Sequence, residues 1–136
     1  MFYYMIMIDK TTQAKIRKIA KKRWLDLVLV FGSTARGTTH ASSDIDLAVL
    51  SHKPGELSIV AEEFGNVLKR NDVEVTDLAH ASPYLMRAVA EDGALIFESK
   101  KDFFTEWKIH ARNVWFDTAW FRARQKRALQ LWARNQ

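Results

Sequence analysis

The chain has 136 residues, 48% of them hydrophobic and 27% charged, with no cysteine. These figures fit one globular domain and exclude wholesale disorder, disulfides, thiolate metal sites and cysteine nucleophiles. The net charge of +5 is unevenly placed: residues 1–98 carry 12 Lys/Arg against 13 Asp/Glu, whereas residues 99–136 carry 9 against 3. Such asymmetry points to an acidic or phosphate-bearing partner for the C-terminal segment. A second basic cluster spans residues 15–23.

Residues 1–8 form the longest apolar run, far below the ~20 residues that span a bilayer. No basic stretch precedes the run and no small-residue cleavage site follows it, so a cytoplasmic, soluble protein is expected. Residues 11–23 read as a basic helix with Ile16, Ile19 and Ala20 as its apolar stripe and Thr11 or Thr12 as its cap. Leu25–Phe31 (LDLVLVF) reads as a buried strand, residues 45–50 (IDLAVL) as a second, and residues 56–68 as a helix. The polar break Arg70-Asn71-Asp72 precedes a third strand over 73–78. Ser82-Pro83 opens a short helix that Gly93 ends, and residues 94–97 form a fourth strand. Residues 100–133 hold no Gly or Pro and predict one long helix. The resulting order, α-β-β-α-β-α-β-α, implies a small mixed-sheet α/β (α+β) domain with helices packed on the sheet.

The chemically informative stretch is FGSTARGTTHASSDIDL, residues 31–47. It leaves one strand through Gly32-Ser33, crosses ten mostly small residues, and enters the next strand at Asp44-Ile45-Asp46. Strand alternation places Asp44 and Asp46 on one face, their Cα atoms roughly 6.5 Å apart, with Ile45 and Leu47 facing the core. Two carboxylates so close repel unless a cation lies between them, and oxygen-only ligands favour Mg²⁺. Gly32 permits a sharp turn and close backbone approach, and Ser33 offers a hydroxyl and an amide to a phosphate. Arg36 either adds a cationic donor or braces the loop. Paired metal ligands beside a phosphate loop suit nucleotidyl transfer assisted by two metal ions.

Gly-Ser, ten residues, then Asp-x-Asp resembles the signature of the nucleotidyltransferase superfamily that includes DNA polymerase β and the aminoglycoside nucleotidyltransferases. The segments VEVTDL and ASPYLMRAVAEDGALIFES, followed by a helical tail, are similar to the minimal nucleotidyltransferases (MNT proteins). The resemblance covers residue 26 to the end and implies one minimal nucleotidyltransferase domain over 1–136, with 100–133 as a helical extension. It also implies a third metal-binding carboxylate on the neighbouring strand. The matching position is Glu74, one methylene longer than the family's usual aspartate, with Asp77 as the rival on the opposite face. MNT antitoxins of HEPN–MNT toxin–antitoxin pairs transfer AMP from ATP to a tyrosine of their HEPN ribonuclease partner. The resemblance thus implies Asp44, Asp46 and Glu74 as catalytic Mg²⁺ ligands, with Gly32, Ser33 and Arg36 on the nucleotide.

Two alternatives stand beside this enzyme. One is an antitoxin that silences its partner by occlusion alone; the other is transfer to a small molecule such as an aminoglycoside. The tail bears on the first. Phe103, Trp107, Ala111, Val114, Thr118, Phe121, Gln125, Ala128 and Trp132 recur at helical spacing as a core-facing stripe. Trp115, Phe116 and Trp120 widen it, with Arg112, Arg122 and Arg124 interleaved. Aromatics with arginine match interface hot spots and also suit RNA stacking, and the tail is expected to contact a HEPN partner rather than nucleic acid directly. The histidines at 40, 52, 80 and 110 show no metal-ligand spacing.

Overall fold

A computed structural model describes residues 8–32, 44–53 and 55–136. Helix α1 (Lys10–Lys22) leads into β1 (Leu25–Phe31), β2 (Ile45–Ser51), α2 (Leu57–Leu68) and β3 (Val73–Asp77). A single 3-10 turn (Leu78–His80) follows, then α3 (Pro83–Asp92), β4 (Ala94–Glu98), α4 (Phe103–Asp117) and α5 (Ala119–Arg134). The strands form one sheet in the order β3-β2-β1-β4, with β2 and β3 parallel and the other pairs antiparallel. This is the small mixed sheet that the sequence predicts.

Helices cover both faces. On one face Ile16 and Ala20 of α1 and Val60 and Phe64 of α2 pack on Val28, Val30, Ile45, Leu47 and Val49. On the other, Met86 and Val89 of α3 and Phe104, Trp107 and Ala111 of α4 pack on Leu27, Leu29 and Ala48. The central strand β1 is therefore apolar on both sides, which is why its sequence is a continuous run rather than an alternation. Leu25 and Leu27 nevertheless face opposite clusters although they are two residues apart. The register shift between them resolves the parity.

The helix ends follow side-chain chemistry. Ser82 Oγ accepts the Leu85 N–H at 3.2 Å and Pro83 occupies the first turn, as the sequence predicts. The cap of α1 is Asp9 rather than Thr11 or Thr12: its Oδ1 accepts the Thr12 N–H at 2.7 Å. That bond is the main reason the Asp9 carboxyl titrates below its usual range.

The tail departs most from expectation. It is two helices, α4 and α5, broken at Thr118, whose backbone sits at φ −97°, ψ 4°. The Thr118 hydroxyl donates to the Val114 carbonyl at 2.7 Å, a back-bond that bends helices. Arg122 secures the break: Nη1 donates to Thr118 Oγ1 at 2.6 Å and Nη2 to the Trp115 carbonyl at 2.5 Å. The core-facing stripe therefore ends early. Phe104, Trp107 and Ala111 are buried, but no residue of α5 is. Trp120, Phe121 and Trp132 lie on the surface instead. None of the described helices is long and apolar enough to cross a membrane.

Phe64 is fully buried at the centre of the α1–α2 layer. Replacing Phe64 by Ala is expected to cost about 3–5 kcal/mol in urea unfolding, against about 1 kcal/mol for Ser82→Ala, which removes only a cap.

Candidate active site

The start of β2 gathers the acidic residues. Ile45, Leu47 and Val49 are buried against α1 and α2, which commits Asp46, Ala48 and Leu50 to the opposite face. Asp46 is flanked by Phe31 of β1 and Glu74 of β3, its partners in the two registers. Cross-strand partners share a face, so Asp46 and Glu74 project side by side. Asp46 is half-buried, whereas Glu74 and Asp44 are exposed. Asp44 immediately precedes the strand and has the parity of Asp46.

The other predicted carboxylate, Asp77, is engaged elsewhere. It pairs in register with Val49, and its Oδ1 accepts the Ala79 N–H at 2.9 Å, capping the 3-10 turn. Its other oxygen lies 3.8 Å from His80 Nε2. Asp77 thus belongs to the far end of β3, on the opposite face from Glu74.

Gly32 closes the site from the β1 side. Its φ of +74° is a left-handed conformation that suits glycine. A Cβ built on it would lie 2.6 Å from Asp46 Oδ2, so any side chain there would displace the carboxylate. Glycine is required here for both its backbone angle and its missing Cβ. Ser33, Arg36 and His40 lie outside the described residues.

One pair escaped the sequence reading. Arg70 forms a two-point ion pair with Asp72, Nε to Oδ1 at 2.7 Å and Nη2 to Oδ2 at 2.5 Å. The Asp72 carbonyl accepts the N–H of Ile45, the residue between the two motif aspartates, at 3.4 Å. The hydrogen bond to Asp72 is the main reason the Arg70 guanidinium holds its proton more firmly than usual, and the negative charge of Asp44 adds to it. The same bond holds the Asp72 carboxyl below its usual range. Any stability from the pair is present above the ordinary carboxylate range and lost as pH falls through the depressed value. The available signal was topological. In a parallel pair, residues just before β3 lie at the same end as residues just before β2.

The donors here are carboxylate oxygens, which suit a hard cation. Among the described residues no three His, Asp or Glu side chains converge closely enough to cage an ion unaided. Mg²⁺ does not need such a cage, because it is commonly held by one or two carboxylates together with phosphate oxygens.

Comparison with known proteins places this geometry in a family. The family profile described as polymerase beta, nucleotidyltransferase matches residues 14–102, which include Gly32, Asp44, Asp46 and Glu74. Two curated relatives are named protein adenylyltransferase MntA. That of Aphanizomenon flos-aquae is 26% identical over 113 residues, covering 74% of this chain and 75% of its own. That of Shewanella oneidensis is 33% identical over 81 residues, covering 57% and 58%. A crystal structure described as a toxin-antitoxin with AMP-PNP superposes with a TM-score of 0.71 at 26% identity. The match covers 86% of this chain and 98% of that one. The chain belongs to the polymerase β family of nucleotidyltransferases.

Proposed function

We propose that this protein is an antitoxin that transfers AMP from ATP to a tyrosine hydroxyl of a cognate HEPN toxin. The observation that carries the reading is the register of Asp46 with Glu74 beneath Gly32, two residues after Asp44. Two relatives named protein adenylyltransferase and a similar toxin-antitoxin structure with AMP-PNP support the choice of nucleotide and acceptor class.

In this reading Asp44, Asp46 and Glu74 would hold Mg²⁺ jointly with substrate phosphate oxygens rather than as a closed protein cage. The ion, when bound, neutralises phosphate charge and lowers the pKa of a coordinated hydroxyl. In this reading Gly32 and Ser33 would bring backbone and hydroxyl donors to the β- and γ-phosphates, and Arg36 would add a cationic donor. The acceptor oxygen attacks the α-phosphorus, and the bond from that phosphorus to the bridging oxygen breaks. Pyrophosphate leaves with the bonding pair. The hydroxyl proton passes to Glu74, whose exposure lets it return that proton to water. Catalysis is then mostly positioning and charge neutralisation. Holding two carboxylates on packed strands rather than on loops serves that purpose.

The acceptor must be delivered by another chain. The exposed aromatic and basic surface of α5 supports docking there, because Trp120, Phe121, Leu129 and Trp132 are apolar and uncovered by this domain. An antitoxin that works by occlusion alone would use the same surface and spare the carboxylates.

Label transfer separates the two. With α-labelled ATP and Mg²⁺, the partner protein is expected to become labelled by the native chain and to stay unlabelled with Asp44→Ala/Asp46→Ala. Glu74→Gln is expected to slow transfer by about 10²-fold or more, in the range typical of a lost acid–base group. Tight binding of the partner without label would leave occlusion as the mechanism. Gly32→Ala is expected to slow transfer strongly and to lower stability by about 1–2 kcal/mol in thermal unfolding, from left-handed strain and the displaced Asp46.

A further inference from the structure

The opposite end of the sheet carries a second, differently charged site. Leu25 pairs with Ser51 at this end, five residues along β2 from Asp46 and therefore about 17 Å away. An open cleft of about 680 Å³ lies here, lined by Lys21, Trp24, His52, Ser99, Lys100 and Lys101 among others. Its acidic groups are already engaged. Glu98 accepts the N–H groups of Asp102 and Phe104, and Asp26 accepts the Ser99 hydroxyl and contacts His52 Nδ1 at 3.0 Å. Lys21 and Lys101 form no ion pair among the described residues, while Lys100 reaches only the exposed Glu106, at 3.7 Å. The lining therefore holds three ammonium groups, those of Lys21, Lys100 and Lys101, against the single carboxylate of Glu98.

Trp24 supplies the second observation. It follows Arg23, the C-cap of α1, and adopts φ +60°, the left-handed conformation that commonly ends a helix and that glycine usually fills. It is also 54% exposed. Tryptophan in place of the usual glycine at this helix stop puts a large aromatic ring in water rather than in the core. The indole meets the His52 ring edge-on, centroids 6.0 Å apart, and the Lys53 ammonium lies 5.4 Å from its centre.

An exposed aromatic ring in a cleft lined mainly by lysines is the arrangement that binds single strands: bases stack on the ring and phosphates meet the ammonium groups. We propose that this cleft binds single-stranded nucleic acid, one base stacking on Trp24 and the flanking phosphates held by Lys21, Lys53, Lys100 and Lys101. Nothing in this inference depends on the adenylyl-transfer reading, because the two sites lie at opposite ends of the sheet. A membrane surface suits the cleft less well, since its one exposed large apolar group is the Trp24 ring itself.

The test is anisotropy of a fluorescein-labelled oligouridylate of about a dozen nucleotides, titrated with the full chain at about 50 and 200 mM salt. Binding that weakens with salt is expected. Trp24→Asn keeps a residue that tolerates the left-handed backbone, so the fold survives. It is expected to weaken binding about tenfold without changing the salt dependence, because only stacking is lost. Lys21→Glu/Lys101→Glu is expected to weaken binding by about tenfold or more and to flatten the salt dependence. Lys126→Glu/Arg127→Glu on α5 is expected to stay within about twofold of the native chain, since those residues lie outside the cleft. The proposal is overturned by absence of binding or by a Trp24→Asn variant that binds like the native chain. It is equally overturned by loss confined to the α5 variant, or by a duplex RNA that binds as tightly as the single strand.

Discussion

The pairing of β2 with β3 is the constraint on which the functional end of this protein rests. Ile45, Leu47 and Val49 are essentially without solvent exposure, so β2 cannot slip by one residue without carrying its carboxylates into the core. Burial of three aliphatic side chains thus fixes the direction of two acidic ones. The parallel register then delivers Glu74 to Asp46 without any direct bond between them being required. Like charges brought together this way cost free energy, and a cation between them offsets that cost. The hydrophobic core is in this sense the source of the site's electrostatic demand.

The remaining architecture serves the same strand pair. Because β1 is covered on both faces, it holds β2 in place from a fully dry interior. On the other side β3 is short and polar, as suits an edge strand, and it keeps Glu74 open to water. Arg70 and Asp72 tie the entry of β3 to the entry of β2 through the Ile45 N–H. They also set a positive charge near Asp44, easing the accumulation of acid at that end. Lys21, Lys53, Lys100 and Lys101 lie instead toward the far end of the sheet, around Trp24 and the cleft beside it.

How much of this could be read from sequence depended on the range of the interaction. The strands of the core were legible because LDLVLVF and IDLAVL carry their burial in their own composition. The Gly32 to Asp46 motif was legible because its spacing is local. The choice between Glu74 and Asp77 was half legible: parity separates their faces, but which face meets Asp46 depends on strand pairing between residues nearly thirty positions apart. The cap of α1 was missed by a few residues, because Asp9 and the two threonines after it are all capable of accepting the same kind of bond. The break at Thr118 was missed because it involves neither Gly nor Pro. It arises from a threonine hydroxyl turned back on its own helix and an arginine one turn later, and both residues are tolerated in continuous helices.

That break has a consequence for how the last segment behaves as a polymer. With no buried residue of its own, α5 shares little of the cooperative free energy that holds the domain together. A 16-residue helix in water sits near the length at which nucleation cost and propagation gain balance. Its helix content is therefore governed by helix–coil equilibrium, and it melts gradually on warming, ahead of the sheet. A surface that rests on such a helix is assembled by whatever covers it. The heat-capacity change on association then includes the ordering of α5 as well as the burial of its tryptophans.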